Sequence, residues 1–150
     1  MLVGIPGSGK STWMRDHIGD NDAVISRDSI RFQLLSNEDE YFAHESEVFY
    51  KFIEAIQTTI DEDYWDIYVD ATHLNEKARN KVLDRLYIPD NIAIIPVYFD
   101  ICLEEAIRRN SQRTGRANVP DEVIKNMWKA LTPPTMNEKY KYKEIWRIQT

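Results

Sequence analysis

Residues 4–11 read Gly-Ile-Pro-Gly-Ser-Gly-Lys-Ser and directly follow the short apolar start of the chain. They match the pattern G-x-x-x-x-G-K-[ST] at every fixed position. In such a loop, glycines let backbone N–H groups turn inward around an anionic phosphate. A lysine ammonium reaches the β/γ oxygens, and a serine hydroxyl can ligate Mg²⁺. The stretch therefore predicts a phosphate-binding loop between a buried strand and a helix that begins at about Gly9.

Composition predicts a single domain, because 150 residues with 43% hydrophobic content can bury one core of ordinary size. The longest apolar stretch, Ile92–Phe99, is far short of the roughly 20 residues that a membrane span needs. No signal pattern opens the chain, so we expect a cytoplasmic protein with no membrane partner. Cys102 is the only cysteine, which excludes an internal disulfide, disfavours a thiolate zinc site and suggests a small apolar role.

Charge is unevenly distributed around a net value of −6. That net value argues against broad, salt-driven coating of a nucleic-acid backbone. Between Ser36 and Asp66 ten acidic residues face Lys51 alone, whereas the segment from Leu103 to Arg116 carries four arginines and two glutamates. We interpret the acidic run as a solvated helix face and the second segment as a local basic surface.

Periodicity predicts strands that alternate with helices, which indicates a parallel α/β sheet. The first strand, Met1–Val3, is short for a central strand, so we expect a few native residues upstream of it. The other predicted strands are Ala23–Ile25, Asp66–Val69, Ile92–Phe99 and Glu144–Ile148. The predicted helices are Ser11–Ile18, Arg27–Leu35, Glu40–Ile60, Asn75–Leu86, Leu103–Asn110 and Pro120–Leu131.

Polar side chains fall at the carboxyl ends of the predicted strands, where open parallel sheets bind their ligands. These residues are Gly4, Arg27, Asp28, Asp70 and Asp100. Their convergence on the edge that carries the phosphate loop indicates a candidate enzyme.

Phosphoryl transfer needs a Mg²⁺ carboxylate, a base for the acceptor and an arginine for the transferred group. Asp70 ends an apolar strand, as a Mg²⁺ carboxylate would, although it could instead cap the next turn. Asp28 could accept the proton of an attacking hydroxyl, and Arg31, one helical turn later, could grip an acceptor phosphate. The alternative for this pair is an N-cap carboxylate with an i, i+3 ion pair.

A lid is predicted at about residues 111–119, because the segment is polar, contains Gly115 and follows a basic helix. Arg113 at its start could reach transition-state charge, with Arg109 four residues earlier. The alternative is a solvated basic loop. The three histidines, His17, His44 and His73, do not have the spacing of metal ligands. The four tryptophans suggest core or rim positions: Trp13, Trp65, Trp128 and Trp146.

Four motifs together resemble the bacteriophage polynucleotide 5′-kinase domain. They are Gly-Ile-Pro-Gly-Ser-Gly-Lys-Ser-Thr-Trp from Gly4, Ser-Arg-Asp-Ser-Ile-Arg from Ser26, Val-Asp-Ala-Thr-His-Leu-Asn from Val69 and Arg-Arg-Asn-Ser-Gln-Arg from Arg108 with Val119-Pro120. The resemblance extends from Leu2 to about Leu131. It implies a P-loop kinase fold: a parallel five-stranded sheet of order 2-3-1-4-5, flanked by helices, with a helical lid.

The resemblance also implies an ATP-dependent kinase that uses Mg²⁺ and phosphorylates the 5′-hydroxyl end of DNA or RNA. Asp28 would activate that hydroxyl, Arg31 would hold the phosphate 3′ to the acceptor nucleoside, and Asp70 would support the acceptor or the metal. Lys10 and Arg113 would act on the donor phosphates, and Ser11 would ligate the metal. The residues implied to contact the nucleotide are Gly4, Pro6, Gly7, Ser8, Gly9, Lys10, Ser11, Thr12, Arg109 and Arg113.

The chain departs from that family in three places. No Asp-x-Asp-Gly-Thr signature occurs, so we expect no 3′-phosphatase activity. The lid is about one residue longer than in the bacteriophage enzyme and bears Arg116. Residues 36–66 match the family sequence poorly. The expected partner is a nucleic-acid end of which only the terminal nucleotides bind, with a separate ligase or phosphatase as a second candidate partner. Two alternatives stay open: a kinase for a nucleoside, nucleotide or sugar, and a non-catalytic ATP-binding module. The sequence leaves the oligomeric state open.

Overall fold

Short parallel strands alternate with helices in the computed structural model, which describes residues 1–150. The strands are β1 (Leu2–Val3), β2 (Ala23–Ser26), β3 (Ile67–Asp70), β4 (Val97–Asp100) and β5 (Trp146–Gln149). The helices are α1 (Lys10–His17), α2 (Arg27–Leu34), α3 (Glu45–Ile60), α4 (Glu76–Leu83), α5 (Leu103–Ser111) and α6 (Asp121–Ala130), with a 3₁₀ turn at Gly115–Ala117. None of the helices is both long and apolar enough to cross a membrane.

The strands pair in two groups, ordered β1-β4-β5 and β2-β3, and every pair is parallel. The backbone N–H of Gly4 donates to the carbonyl of Thr72 at 3.0 Å, which joins the end of β1 to the end of β3. These are parallel strands and flanking helices of the α/β P-loop kinase fold. Strand β1 is only two residues long and pairs with β4 but not with β3, so the five strands form two sheets and not the single sheet expected from the resemblance.

Three apolar clusters hold the helices against the strands. Phe52 and Ile56 of α3 pack with Val82 of α4, and Leu2 packs with Phe99 between neighbouring strands. The third cluster consists of Ile5, Ile101, Ala106 and Ile124, and it joins the phosphate loop to α5 and α6. Full burial of each large apolar side chain contributes roughly 1.5–3 kcal/mol. The packing of Ile5 in this third cluster therefore holds the phosphate loop in place.

Two predicted elements begin five residues later than expected, and helix α4 ends at Leu83, three residues before the predicted Leu86. Helix α3 begins at Glu45, not at Glu40, because residues 37–44 form turns in which the Asp39 carboxylate accepts from the Ser36 N–H at 2.8 Å. Strand β4 begins at Val97, not at Ile92, because β1 offers only two residues for pairing and Pro96 has no N–H to donate.

The segment after α6 folds back along the domain. Arg79 of α4 is fully buried and donates to the carboxylate of Glu138 through Nε at 2.9 Å and through Nη2. Tyr142 also donates to Glu138, at 2.7 Å. Further on, β5 pairs with β4, and Trp146 packs edge-on against Trp13 of α1 with ring centroids 6.2 Å apart. The later residues thus complete both the sheet and the packing of α1.

Candidate active site

The phosphate loop has the backbone conformation that its glycines predict. Gly7 and Gly9 have φ values of +82° and +92°, in the left-handed region that favours glycine. A Cβ on Gly7 would lie 2.3 Å from the carbonyl oxygen of Ala106, whereas nothing lies closer than 3.7 Å to a Cβ on Gly9. Helix α1 begins at Lys10 with Gly9 as its N-cap, close to the predicted start. Its first N–H groups therefore lie at the end of the loop, where an anion would bind.

Lys10 folds over the phosphate loop. Its Nζ donates to the carbonyl oxygens of Gly4 at 2.8 Å and Ile5 at 3.0 Å. Burial lowers the pKa of Lys10 to about 8, against the opposing effect of the Asp70 carboxylate. The ammonium is charged at neutral pH and is held at the loop without a carboxylate in direct contact.

The residues around the loop fit a nucleotide with its Mg²⁺. The Oγ of Ser8 is buried and has no hydrogen-bond partner in the protein, so it can serve an anion. Ser11 and Asp70 line the same cleft, and burial raises the pKa of Asp70 while Lys10 opposes the shift. No three His, Cys, Asp or Glu side chains cluster to hold a metal ion.

A cleft of about 410 Å³ joins the phosphate loop to α2 and the lid. Predicted site residues that line it are Pro6, Ser8, Gly9, Lys10, Ser11, Asp28, Arg31, Asp70 and Arg113. Gly4, Gly7, Thr12 and Arg109 do not line it, and Arg109 instead donates from Nε to Glu105 at 2.7 Å. The cleft therefore brings residues of the predicted phosphate-donor site and residues of the predicted acceptor site together in one space.

Asp28 lies in the first turn of α2, which is capped by Ser26: the Ser26 hydroxyl accepts from the Ser29 N–H at 3.3 Å. The cap is thus Ser26, and Asp28 is free to face the cleft. Its Oδ1 accepts from the Tyr41 hydroxyl at 2.6 Å and from Nη1 of Arg31. The i, i+3 ion pair that was the alternative interpretation of this pair is present.

Arg31 is only 4% exposed and is surrounded by acidic groups. Its Nη2 donates to both oxygens of Glu45, at 3.0 and 2.8 Å, while Nη1 contacts Asp28. The guanidinium also lies 4.4 Å from the centroid of the Tyr41 ring. Two carboxylates therefore balance one buried cation, which holds α2 against the start of α3.

The predicted lid, residues 111–119, lines one side of the cleft and is fastened at two places. Buried Asn110 donates to the Val119 carbonyl at 2.7 Å and accepts from the Val119 N–H at 3.1 Å, which closes the base of the lid. At the other side, Nη2 of Arg116 donates to the carbonyls of Ser36 at 2.5 Å and Asp39 at 3.1 Å. The lid thus rests on the turns that precede α3.

Several functional candidates were not predicted from the sequence. Tyr41 and Glu45 lie in the acidic stretch that looked like a solvated helix face, and Asn110, although it lies in the Arg-Arg-Asn-Ser-Gln-Arg motif, was given no role of its own. The sequence offered one indication for Glu45. It is an acidic residue in a segment with few cations, and it follows the predicted helix Arg27–Leu35, which carries two arginines. His73 is buried, its Nδ1–H donates to the Leu2 carbonyl at 2.6 Å, and burial lowers its pKa to about 3.

Comparison with known proteins gives one family and several solved structures. The family described as AAA domain matches residues 1–134. A chain from the structure of the Pnkp1/Rnl/Hen1 RNA repair complex is 24% identical with a TM-score of 0.72, covering 87% of this chain and 42% of that one. This chain thus spans less than half of that relative's length.

Two further structures are similar over 99% of this chain. One is a gluconokinase from Sinorhizobium meliloti 1021, at 15% identity and a TM-score of 0.58, of which 79% is covered. The other is a sugar kinase from Janibacter sp. HTCC2649, at 18% identity and a TM-score of 0.61, of which 82% is covered. At these identities the likenesses show the fold.

Proposed function

Because the chain belongs to the AAA domain family, whose phosphate-binding loop is intact here, we propose that it is an ATP-dependent polynucleotide 5′-hydroxyl kinase. The observation that carries the proposal is the shared cleft, which is lined by Lys10 and Ser11 on one side and by Asp28 on the other. Arg113 of the lid lines the same space. A phosphate donor and a hydroxyl acceptor could therefore meet between a cation and a carboxylate, as phosphoryl transfer requires.

In the proposed reaction, the acceptor hydroxyl oxygen attacks the γ-phosphorus of ATP, and the bond to the β–γ bridging oxygen breaks. The hydroxyl proton passes to the carboxylate of Asp28, and ADP leaves with the bonding electrons. Lys10 and Arg113 offset the negative charge that gathers on the transferring group, and Arg109 lies close to the loop as a further cation. Positioning and charge supply most of the rate in this chemistry.

Mg²⁺ would be held by Ser11 and, directly or through water, by Asp70. Bound there, it would neutralise the phosphate oxygens and support in-line transfer. The Asp70 carboxylate has its pKa raised by burial, so a neighbouring divalent cation would favour its ionised form.

The acceptor side of the cleft favours a nucleoside end. Phe32 and Phe42 line it together with Tyr41, and Val123 and Met127 of α6 line it from the lid side. Flat aromatic and apolar walls suit a nucleobase, since stacking on such side chains tolerates any base. A groove of this size would take only terminal nucleotides, in keeping with the acidic net charge.

A kinase for a small sugar or nucleoside is the second candidate, and one contact favours it. Arg31, which the polynucleotide proposal assigns to the phosphate 3′ to the acceptor, is buried and already paired with Asp28 and Glu45. An acceptor without a phosphate would leave those pairs intact. A charged acceptor must instead compete for the guanidinium, so the acceptor class is decided by experiment.

The test is transfer of labelled γ-phosphate from ATP·Mg²⁺ to four acceptors: a 5′-hydroxyl oligonucleotide, a 3′-nucleotide, a nucleoside and gluconate. Transfer to the first two, reduced by about 10²–10⁴ in Asp28→Asn, supports the proposal. Preference for the nucleoside or gluconate supports the small-molecule kinase. Tight ATP binding without transfer to any acceptor identifies a non-catalytic nucleotide-binding module.

We extend the proposal to the surroundings of the enzyme. A separate ligase or phosphatase would act with it on nucleic-acid ends, because a relative of similar fold belongs to an RNA repair complex. We further infer a cytoplasmic location and a sheet order of 2-3-1-4-5, in which the observed β2-β3 and β1-β4-β5 groups lie side by side. Backbone amide exchange at β1 and β3 measures whether the two groups form one protected sheet.

A further inference from the structure

The Asp28 carboxylate is held through only one of its oxygens. Tyr41 donates to Oδ1 at 2.6 Å, and Arg31 donates to the same oxygen. No hydrogen bond from the protein reaches Oδ2. The Asp28 side chain is 59% exposed, so packing restricts its rotation less than these two hydrogen bonds do. The two donors therefore decide where Oδ2 points.

Tyr41 is itself firmly placed. Its ring lies 4.4 Å below the Arg31 guanidinium and packs edge-on against Phe42, with centroids 4.7 Å apart, and against Phe32 at 6.2 Å. Burial and then the hydrogen bond to Asp28 raise the pKa of the phenol above its ordinary value. The hydroxyl is therefore a proton donor throughout the neutral range.

Glu45 fixes the other donor. Its two oxygens accept from Nη2 of Arg31, and it also pairs with Arg27 at the start of α2. The Arg27 guanidinium in turn lies 5.4 Å from the centroid of the Phe49 ring. A chain of packed and charged groups thus runs from α3 through Arg31 to Oδ1.

We propose that Tyr41 is a positioning residue for Asp28: its hydroxyl fixes Oδ1 so that Oδ2 faces the acceptor hydroxyl and takes its proton. The inference rests on the proposed kinase function, for either class of acceptor. Orientation of this kind matters because a small misplacement of a reacting group can cost about 10²-fold in rate. Tyr41 itself neither gains nor loses a proton in the reaction.

The test is Tyr41→Phe, which keeps the ring under Arg31 and removes the hydroxyl that donates to Asp28 and accepts from Nη1 of Arg31 at 3.0 Å. We expect kcat to fall by about 10-fold to 100-fold, while the KM for ATP and the melting temperature stay unchanged. Tyr50→Phe is the matched control, because Tyr50 lies on α3 with 74% of its surface exposed. That control should transfer phosphate at the wild-type rate.

A double variant separates positioning from other roles. In the Asp28→Asn background, Tyr41→Phe should cause no further loss of kcat, because the carboxylate through which Tyr41 acts is absent. An equal loss in both backgrounds would overturn the inference, as would a single-variant kcat within about twofold of wild type. A rise in kcat would also overturn it, because the phenol would then be competing with the acceptor for Asp28.

Failure of the underlying function gives a different result. If the wild-type protein transfers phosphate to none of the four acceptors, or if Asp28→Asn transfers as well as wild type, then the proposed function falls together with the role of Tyr41. If wild type transfers phosphate and Asp28→Asn does not, an unaffected Tyr41→Phe removes the positioning role alone.

Discussion

Replacing Glu138 by glutamine should destabilise the fold strongly, because it leaves the Arg79 cation without a charged partner in the interior. The Arg79 side chain is 0% exposed and that of Glu138 is 3% exposed. Removing one partner of a buried ion pair costs about 3–5 kcal/mol. We expect about 3 kcal/mol, the lower end, because Nη1 of Arg79 still donates to the carbonyls of His73 at 2.9 Å and Thr132 at 3.2 Å.

For a chain of this length, that loss corresponds to a fall in melting temperature on the order of 6–12 °C. Urea denaturation, followed by tryptophan fluorescence, measures the free energy of unfolding. The matched control is Glu122→Gln, which breaks an exposed pair with Lys125 of similar separation, 2.8 Å, and should leave the midpoint unchanged. A loss below about 1 kcal/mol in Glu138→Gln would refute the reasoning.

The difference between Glu138→Gln and wild type should also depend on pH. Burial raises the pKa of Glu138, but the hydrogen bonds from Arg79 and Tyr142 outweigh burial, and the net result lies below the ordinary value of 4.5. A carboxylate whose pKa is lowered by folding stabilises the native state above its unfolded pKa and loses this effect as the pH falls through the folded pKa. The two proteins should therefore converge in stability in acid.

Three further predictions concern the cleft. Gly7→Ala should abolish ATP binding measured by calorimetry, because the new Cβ would lie 2.3 Å from the Ala106 carbonyl oxygen. Gly115→Ala is the control: its φ is also positive, at +60°, but open space surrounds it, so ATP binding should be retained. Because burial lowers the pKa of Lys10 to about 8, the Kd for ATP should rise by up to about tenfold per pH unit above pH 8 as the ammonium deprotonates, and a flat profile would contradict this. Arg116→Ala, which frees the lid from the carbonyls of Ser36 and Asp39, should raise ATP hydrolysis without acceptor, measured as phosphate release; an unchanged rate would show that the contact does not exclude water.

Most of the fold could be predicted because local signals and global architecture agree. The phosphate loop, the alternation of strands and helices, and the bounds of α2 and α5 follow from periodicity and capping, and the structure places them within a few residues. The start of α3 could not be predicted in this way. Phe42 continues the helical spacing of apolar residues, yet the side chain of Asp39 binds the backbone of Ser36 and turns the chain before the helix begins.

The candidate site could be predicted where a residue belongs to a motif or ends a strand, as Lys10 and Asp70 do. Tyr41 could not, because its contact with Asp28 joins residues 13 positions apart and depends on how α2 meets α3. The burial of Arg31 escaped prediction for the same reason: its partner Glu45 lies 14 residues away and reads in the sequence as one acid among many.

The final strand has a practical meaning for anyone who designs a shorter fragment of this chain. Similarity to the family stops at residue 134, yet β5 forms the outer member of its sheet, and Trp146 covers Trp13 on the helix that carries Lys10. A protein cut at the family boundary would expose the edge of β4 and uncover α1, which has no fully buried residue of its own. The part of the chain that matches the family is therefore smaller than the unit that cooperates in holding the phosphate loop in place.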